Sequence, residues 1–326
     1  MMTINNGIRD IHYVNERFAN QKAQFQKDTS AGNYSSWNIF ESWLIGRGRK
    51  PATLLKQLGA FKRIIRMYPI DDVQNITYTQ MIDINRAIVS SKYKTGTKIS
   101  MQLLLRSYLT LFADETRKKE IAAAIQILSD PKEDNPINDE YGKVITPADF
   151  EKIEQNMPNH DFSVWVKVLY STGMRVTELY NIMPNNVEFV NKTFIGIKLP
   201  PQIFGYKGGW IFTRGKRTRS KKEGKYMYYL PMYVNEFNHY LNDLKKEEYI
   251  CKYSYSHFLQ SLHESVKKSG LKYRVHPHMF RHTVATRLFK KHPDAVVKKV
   301  LNWSKGSNMS THYSHINKHD IEEAMT

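Results

Sequence analysis

A polar segment near the middle of the chain divides its 326 residues into two parts. Residues 129–143, SDPKEDNPINDEYGK, are rich in Pro, Asp and Asn and contain almost nothing apolar. Such a segment buries little surface, and its prolines interrupt regular structure, as in a linker. A chain of this length accommodates two domains. We therefore predict an N-terminal arm or loosely held helix over residues 1–30, a helical domain over 31–135, a linker over 136–144 and a second domain over 145–326.

The first half of the chain has apolar residues at helical spacing. One segment begins with Pro51 and stops before Pro69, and another begins with Thr77 or Thr79 as its N-cap. Four or five such segments lie between Tyr34 and Ser129, with Lys and Arg on their polar faces. This pattern predicts an all-helical domain.

The second half restarts with ITPADFEKI, where Thr146 suits an N-cap and Pro147 the first helical position. Two stretches further on, NVEFVNKTFIGIKL and GWIFTRGKRTRSKKEGKYMYYLP, alternate and are rich in β-branched and aromatic residues. They predict two or three strands. The predicted fold class is therefore mainly α with a small antiparallel β-sheet.

The charge balance is strongly basic, with 49 Lys and Arg against 31 Asp and Glu and a formal net charge of +18. This excess favours a polyanionic partner, and nucleic acid is the default candidate. A basic soluble protein without such a partner is the alternative. Cys251 is the single cysteine, which excludes an intrachain disulfide framework or a zinc ribbon. No apolar run approaches membrane-spanning length and no signal-peptide pattern is present, so we expect a cytoplasmic protein without a membrane partner.

The first motif is STGMRVTEL, residues 171–179. Gly173 ends the helix FSVWVKVLY, and a new helix is expected to carry Arg175 in its first turn. Glu178 lies three residues later, where its carboxylate can hold the guanidinium. An ordinary surface ion pair is the alternative interpretation.

The second motif is TRGKRTRSKKEGK, residues 213–225, which lies between two strand-like runs. We predict a hairpin tip that sits against a DNA backbone, whereas the alternative is a solvated loop. Its seven basic residues are Arg214, Lys216, Arg217, Arg219, Lys221, Lys222 and Lys225.

The third motif is HPHMFRHTVAT, residues 276–286. On a helix, His278, Arg281 and His282 share one face, while Phe280 and Val284 lie on a core-facing stripe. A cation and two imidazoles side by side require an anionic partner. The H-x-x-x-H spacing also occurs in zinc sites, but Met279 stands where a zincin carries glutamate and no third ligand lies nearby, so we predict no metal.

The fourth motif is LNWSKGSNMSTHYSHI, residues 301–316, in which polar and small residues lead to Tyr313. Together the four motifs supply what phosphodiester chemistry needs without a metal. Arginines bind phosphate oxygens and stabilise the extra charge of the transition state. A lysine can protonate the leaving 5′ oxygen, and a tyrosine can attack phosphorus. Two nearby guanidiniums would lower the pKa of that tyrosine.

In this order, TGMRVTEL, HPHMFRHTVAT and the final Trp and Tyr resemble the tyrosine recombinase (phage integrase) family over residues 145–320. The residue pattern of LNWSKGSNMSTHYSHI is similar to that of archaeal integrases. The resemblance assigns catalytic roles to Arg175, Lys222, His278, Arg281, Trp303 and Tyr313, and accessory roles to Glu178 and His282. Lys221 and Lys216 remain alternatives for the lysine. The remaining basic residues of 213–225 would bind DNA.

Two features depart from the common family pattern. Trp303 stands where most members have histidine, although its indole N–H still donates a hydrogen bond. The spacing from Trp303 to Tyr313 is one residue longer than usual, which leaves the placement of the tyrosine-bearing segment open.

The resemblance implies a site-specific recombinase of a mobile genetic element. Its helical domain and catalytic domain would clamp duplex DNA, exchange strands through a 3′-phosphotyrosyl intermediate, and assemble as a homotetramer on two DNA sites. The free protein would be a monomer or weak oligomer, and no cofactor is needed. A topoisomerase-like DNA relaxase of type IB and an inactive DNA-binding protein on the same scaffold are the alternatives.

Overall fold

The computed structural model describes residues 4–5, 8–9, 12–73, 76–112, 144–189, 194–199, 209–213, 216–220, 224–229, 233–301 and 303. The chain forms two compact units. The first, which we call the helical unit, is Tyr13–Pro136. The second, which we call the site unit, combines Met1–His12 with Ile137–Thr326.

Helices make up the described part of the helical unit, and the prediction of a helical first half is confirmed for these residues. Their bounds are α1 Val14–Asp28, α2 Ala31–Gly46, α3 Pro51–Met67, α4 Tyr78–Ser90 and α5 Thr95–Phe112. Thr77 caps α4 in a capping box with Gln80, which decides between the two predicted N-caps. The further helix predicted over DETRKKEIAAAIQIL lies outside the described residues.

The core of the helical unit is aromatic. Trp37, Phe40, Phe61 and Tyr108 are all buried, and the ring centroids of Phe40 and Tyr108 lie 5.5 Å apart. Large rings of this kind each bury enough apolar surface to contribute about 1.5–3 kcal/mol. This aromatic core explains how apolar stripes on separate helices become one unit.

Residues 14–28 form a helix, one of the two alternatives predicted for residues 1–30, and this helix is packed rather than loosely held. The ring of Phe25 on α1 is buried and meets Phe61 edge to face at 5.9 Å. Lys22 forms an ion pair of 2.9 Å with Glu41 on α2. The polar residues of this segment concealed the few apolar positions that hold it in place.

The site unit contains seven described α-helices and the longer strands. The helices are α6 Pro147–Gln155, α7 His160–Thr172, α8 Val176–Leu179, α9 Val234–Asn242, α10 Tyr255–Lys268, α11 Pro277–Phe289 and α12 Asp294–Val300. The strands are β3 Val187–Phe189, β4 Phe194–Leu199, β5 Gly209–Thr213, β6 Lys216–Ser220 and β7 Gly224–Tyr229. A two-residue pair, β1 Ile4–Asn5 and β2 Ile8–Arg9, precedes them in the chain. Helices predominate, so the prediction of a mainly α fold is confirmed.

The strands pair antiparallel. Strand β4 lies between β3 and β7, with Ile195 opposite Tyr228, and β5 pairs with β6, with Thr213 opposite Lys216. Lys216, Arg217 and Arg219 therefore lie in a strand. This corrects the prediction that the basic run is a hairpin tip for these three residues, because they pair with β5.

Helix α11 is buried on all sides over residues 279–285, rather than on the single stripe that the sequence predicted. Phe280 packs with the aromatic core of the site unit, whereas Val284 and Ala285 pack against Val297 and Leu301. Thr283 accepts a hydrogen bond of 3.0 Å from the backbone N–H of Ile145. Helix α11 is thus the central element around which the rest of this unit packs.

No described helix is long and apolar enough to span a membrane.

Gly173 is required by both conformation and space. Its φ is +63°, and an added Cβ would lie 3.0 Å from Val284 and 3.1 Å from Leu301. Gly270 has a similar φ of +71° but open space around it. A comparison of substitutions at these two glycines therefore separates the cost of backbone strain from the cost of crowding.

We expect Gly173→Ala to lower the free energy of unfolding more than Gly270→Ala does. Both changes introduce backbone strain of about 1–2 kcal/mol, and only Gly173→Ala adds overpacking of about 1–3 kcal/mol. Chemical denaturation of the two variants and the wild type measures the difference. Equal losses of stability in the two variants would show that the side chains around Gly173 accommodate the added Cβ without a measurable free-energy cost.

Candidate active site

The turn after α7 positions the first predicted site residue. The backbone N–H of Gly173 bonds to the Leu169 carbonyl, and the left-handed φ of Gly173 redirects the chain. Thr172 supports the turn because its hydroxyl accepts the N–H of Met174 at 3.1 Å. Arg175 then follows as the N-cap of α8, with extended backbone, rather than within the first helical turn as predicted.

Glu178 holds Arg175 through two hydrogen bonds, which is the pairing that the sequence predicted. Its Oε2 accepts the Arg175 backbone N–H at 2.7 Å, and its Oε1 accepts from Nη1 at 2.7 Å. The Glu178 side chain is 0% exposed, whereas that of Arg175 is 38% exposed. A buried carboxylate therefore fixes one side of a guanidinium whose other side is open to solvent.

Arg281 is buried and joins three parts of the chain. Its Nη1 donates to the Gly173 carbonyl at 2.7 Å, and its Nη2 donates to the Leu301 carbonyl. Both carbonyls belong to helix ends, where backbone acceptors lack partners within the helix. Charge-assisted bonds of this kind contribute roughly 1.5–3 kcal/mol each and offset the burial of the cation.

His278 and His282 lie one turn apart on α11, with ring centroids 4.5 Å apart and an interplanar angle of 88°. Desolvation, the largest cause, and the charges of Arg281, His276 and Arg175 together lower the pKa of His278 to about 4. His278 is thus a neutral imidazole at pH 7, and His282 is buried.

Trp303 follows α12 and lies close to Arg281. The Arg281 Cζ atom is 5.7 Å from the centroid of the indole ring. The Trp303 backbone N–H donates to the Lys298 carbonyl at 2.8 Å, and its ring lies 6.1 Å from that of Phe289. The structure thus brings together four residues that the sequence predicted separately: Arg175, His278, Arg281 and Trp303.

A cavity of about 390 Å³ opens beside Arg175 and His278. None of the described residues that line it is acidic, and several carry positive or titratable nitrogen groups. The lining residues are His12, Met174, Arg175, Val176, Thr177, Tyr255, Leu259, Arg274, His276, Pro277 and His278. This combination of cations and neutral imidazole suits an anionic ligand such as a phosphate.

Three of the lining residues with nitrogen-bearing side chains, Arg274, His276 and His12, were not predicted as site residues. Arg274 and His276 precede α11, and His12 comes from the N-terminal segment, where its ring lies 4.9 Å from that of Tyr255. The basic spacing R-x-H-x-H just before the helix was a usable signal for the first two. Nothing in the sequence near His12 links it to residues more than 240 positions later.

Other predicted residues lie outside the described residues. Lys222, with its alternative Lys221, falls there, as do Arg214 and Tyr313. Lys216, Arg217, Arg219 and Lys225 lie on strands β6 and β7. Within the part of the chain that the structure describes, no group of three or more His, Cys, Asp or Glu residues is arranged to hold a metal ion.

Comparison with protein families gives a match to the phage integrase family over residues 143–320, more than half of the chain. Tyrosine recombinase XerC of Bacillus pumilus (strain SAFR-032) is 24% identical over 280 residues, which cover 81% of this chain and 84% of that protein. XerC of Pediococcus pentosaceus is 24% identical over 179 residues, or 49% of this chain, and the alignment covers 51% of that relative's length.

Solved structures share the fold. The Tn1549 transposon integrase in complex with circular intermediate DNA superposes with a TM-score of 0.61 at 16% identity, covering 89% of this chain and 99% of that one. A lambda integrase dimer bound to a core site gives a TM-score of 0.59 at 16% identity, covering 91% of this chain and 81% of that one. The curated relatives are bacterial, so the predicted similarity to archaeal integrases is not supported.

We expect Glu178→Gln to lower the free energy of unfolding by about 1–3 kcal/mol, because the amide NH₂ then faces the N–H donors of Arg175. The matched control is Glu248→Gln, which removes an exposed ion pair with Lys252 at 3.8 Å and should change stability by under about 0.5 kcal/mol. Denaturation in urea compares the two variants with the wild type. A loss no larger than the control's would mean that Arg175 is held by other contacts.

We expect stability to fall more steeply with acid in the wild type than in His278→Gln. The unfolded chain takes up a proton at His278 near pH 6.5, whereas the folded chain does so only near pH 4. Between these values protons favour the unfolded state, so the contribution is present above about pH 6.5 and is lost as the pH falls. Unfolding at pH 7 and pH 5 measures the slope, and parallel slopes would contradict a lowered pKa.

Proposed function

This chain belongs to the phage integrase family of tyrosine recombinases, and on that premise we propose that it cuts and rejoins DNA at a specific site. The substrate is duplex DNA, and the reaction is a transesterification at a phosphodiester. The single observation that carries the proposal is the cavity in which Arg175 and His278 meet beside Arg281, without an acidic group among the described lining residues.

The cavity is suited to a scissile phosphate. Arg175 presents the open side of its guanidinium there, and a guanidinium binds phosphate oxygens through two hydrogen bonds. The cation stabilises the additional negative charge of a pentacoordinate transition state more than that of the ground state. His278, neutral at pH 7, can accept a proton as the nucleophile attacks. The indole N–H of Trp303 supplies a further donor to a phosphate oxygen.

Tyr313 is the proposed nucleophile. Its phenolic oxygen forms a bond to phosphorus, and the bond from phosphorus to the 5′ oxygen breaks. The products are a 3′-phosphotyrosyl link and a 5′ hydroxyl whose proton Lys222 donates, with Lys221 and Lys216 as alternatives. Attack by the 5′ hydroxyl of a partner duplex reverses the step and completes strand exchange, so the bond energy is conserved without a cofactor.

Two described tyrosines of the site unit, Tyr255 and Tyr273, are poor competitors for this role. Burial raises the pKa of Tyr255, the tyrosine that lines the cavity. Burial also raises the pKa of Tyr273, whose hydroxyl donates to Asp149 at 2.9 Å. A raised pKa disfavours the phenolate that attacks phosphorus. These observations support a nucleophile from the segment that contains Tyr313.

The partners follow from the same proposal. The net charge of +18 suits DNA, and strand exchange needs two DNA sites. A lambda integrase tetramer bound to a Holliday junction has a similar fold, with a TM-score of 0.57 at 16% identity, covering 88% of this chain and 81% of that one. We therefore propose a homotetramer on two sites, formed in the cytoplasm from protomers that associate weakly without DNA.

We expect covalent trapping to identify the nucleophile. Wild type, Tyr313→Phe and Tyr255→Phe are incubated with DNA of the source replicon in chelator without magnesium, then denatured. Wild type and Tyr255→Phe should form a protein–DNA adduct through a 3′ phosphate, whereas Tyr313→Phe should form none, because it lacks the attacking oxygen.

The adducted DNA ends then reveal the target sequence. An adduct that persists in Tyr313→Phe and disappears in Tyr255→Phe would reassign the nucleophile. Two differently labelled duplexes carrying the recovered sequence distinguish strand exchange from simple relaxation. Recombinant products establish the recombinase, whereas relaxation alone would favour a topoisomerase-like enzyme, and binding without any adduct would favour an inactive DNA-binding protein.

A further inference from the structure

The cavity beside Arg175 contains a second group of nitrogen donors that the proposed chemistry leaves unused. Arg274 and His276 line it together with Arg175 and His278. At about 390 Å³ it falls in the range of about 300–1,000 Å³ that is usual for ligand pockets. It is therefore large enough for a nucleotide with a phosphate at each end, rather than for one phosphate alone.

The backbone before α11 aims both side chains in the same direction. Val275 is 0% exposed and packs in the core, whereas Arg274 on one side of it is exposed and His276 on the other is partly exposed. His276 has an extended backbone, with φ −132° and ψ 159°. Alternate residues of an extended segment point to the same side. The buried Val275 thus fixes Arg274 and His276 as a pair directed away from the core.

The charges around this pair favour an anion between them. Burial is the largest cause of the lowered pKa of both His278 and His263. The charges of His276 and Arg175 also contribute to the lowered pKa of His278, and the charge of Arg274 contributes to that of His263. His263 and Lys267 line a second cavity of about 430 Å³, which shares Tyr255 and Leu259 with the first. Arg274 itself lines only the first cavity, and Glu264 is the acidic residue that lines the second one.

We propose that Arg274 and His276 bind the DNA phosphate next to the one held by Arg175 and His278 on the same strand. This inference rests on the proposed function, because it takes the first phosphate to be the scissile one. Two neighbouring phosphates held by two fixed pairs of side chains define both the position and the direction of the strand. Arg274 and His276 are therefore positioning residues, and they bring the correct phosphodiester to Arg175.

The test measures DNA binding without cleavage. Full-length Tyr313→Phe is the parent, and Arg274→Gln and His276→Asn are added to it. Asparagine is a favourable N-cap, so His276→Asn preserves the start of α11. Lys252→Gln is the control, because Lys252 is exposed in the same unit and does not line either cavity. The affinity for a short duplex of random sequence is measured by fluorescence anisotropy at several salt concentrations.

Loss of one phosphate contact should reduce the slope of log affinity against log salt by about one in Arg274→Gln. The affinity itself should fall roughly tenfold at moderate salt. His276→Asn should weaken binding less, and Lys252→Gln should leave both quantities at the parent values. Slopes and affinities of Arg274→Gln that match those of the Lys252→Gln control would overturn the subsite.

A second measurement locates the phosphate. On the sequence recovered from trapped adducts, neutral methylphosphonates replace single phosphates, one duplex for each position. Substitution of the phosphate next to the scissile one should weaken DNA binding by the parent but not by Arg274→Gln. If substitution at every position weakens DNA binding by both proteins equally, the subsite is absent even though adducts form. Absence of adducts counts against the proposed function, and the salt dependence still decides on the subsite.

Discussion

The buried guanidinium of Arg281 is the contact on which the proposed active site depends. It donates hydrogen bonds to the carbonyls of Gly173 and Leu301, which lie at the ends of two different helices. It therefore holds α7, α11 and α12 together at one point. A planar guanidinium reaches both carbonyls at once, whereas the single ammonium of a lysine does not. The positions of Arg175 after Gly173 and of Trp303 after Leu301 follow from this one side chain.

Local signals in the sequence were sufficient for most of the described helices. Pro51 and Pro147 begin α3 and α6 as predicted, and Thr77 and Thr146 are the N-caps of α4 and α6, because these signals act over one helical turn. Tertiary contacts decided the rest. The helix Val14–Asp28 is held by Phe61 and Glu41, which are distant in sequence, so its polar composition left an arm and a loosely held helix as alternatives.

The site was predictable where spacing along one helix placed residues together, as for His278, Arg281 and His282. The pairing of Arg175 with Glu178 was also predicted, because three residues separate them. Arg274 and His276 precede α11, so the helical spacing that groups His278, Arg281 and His282 does not include them, although their R-x-H-x-H spacing was a usable signal. The partners of Arg281 could not be inferred, because they are backbone carbonyls and a sequence gives no sign of which carbonyl an arginine will contact.

The hydrogen bond from the Ile145 backbone to Thr283 has a structural consequence for this unit. Thr283 follows Arg281 and His282 directly on α11, so the chain segment that begins at residue 144 is attached to the helical turn that carries two residues of the site. This buried bond fixes the start of the segment before α6 against the turn of α11 that carries Arg281 and His282, so the site unit begins at the helix around which it packs.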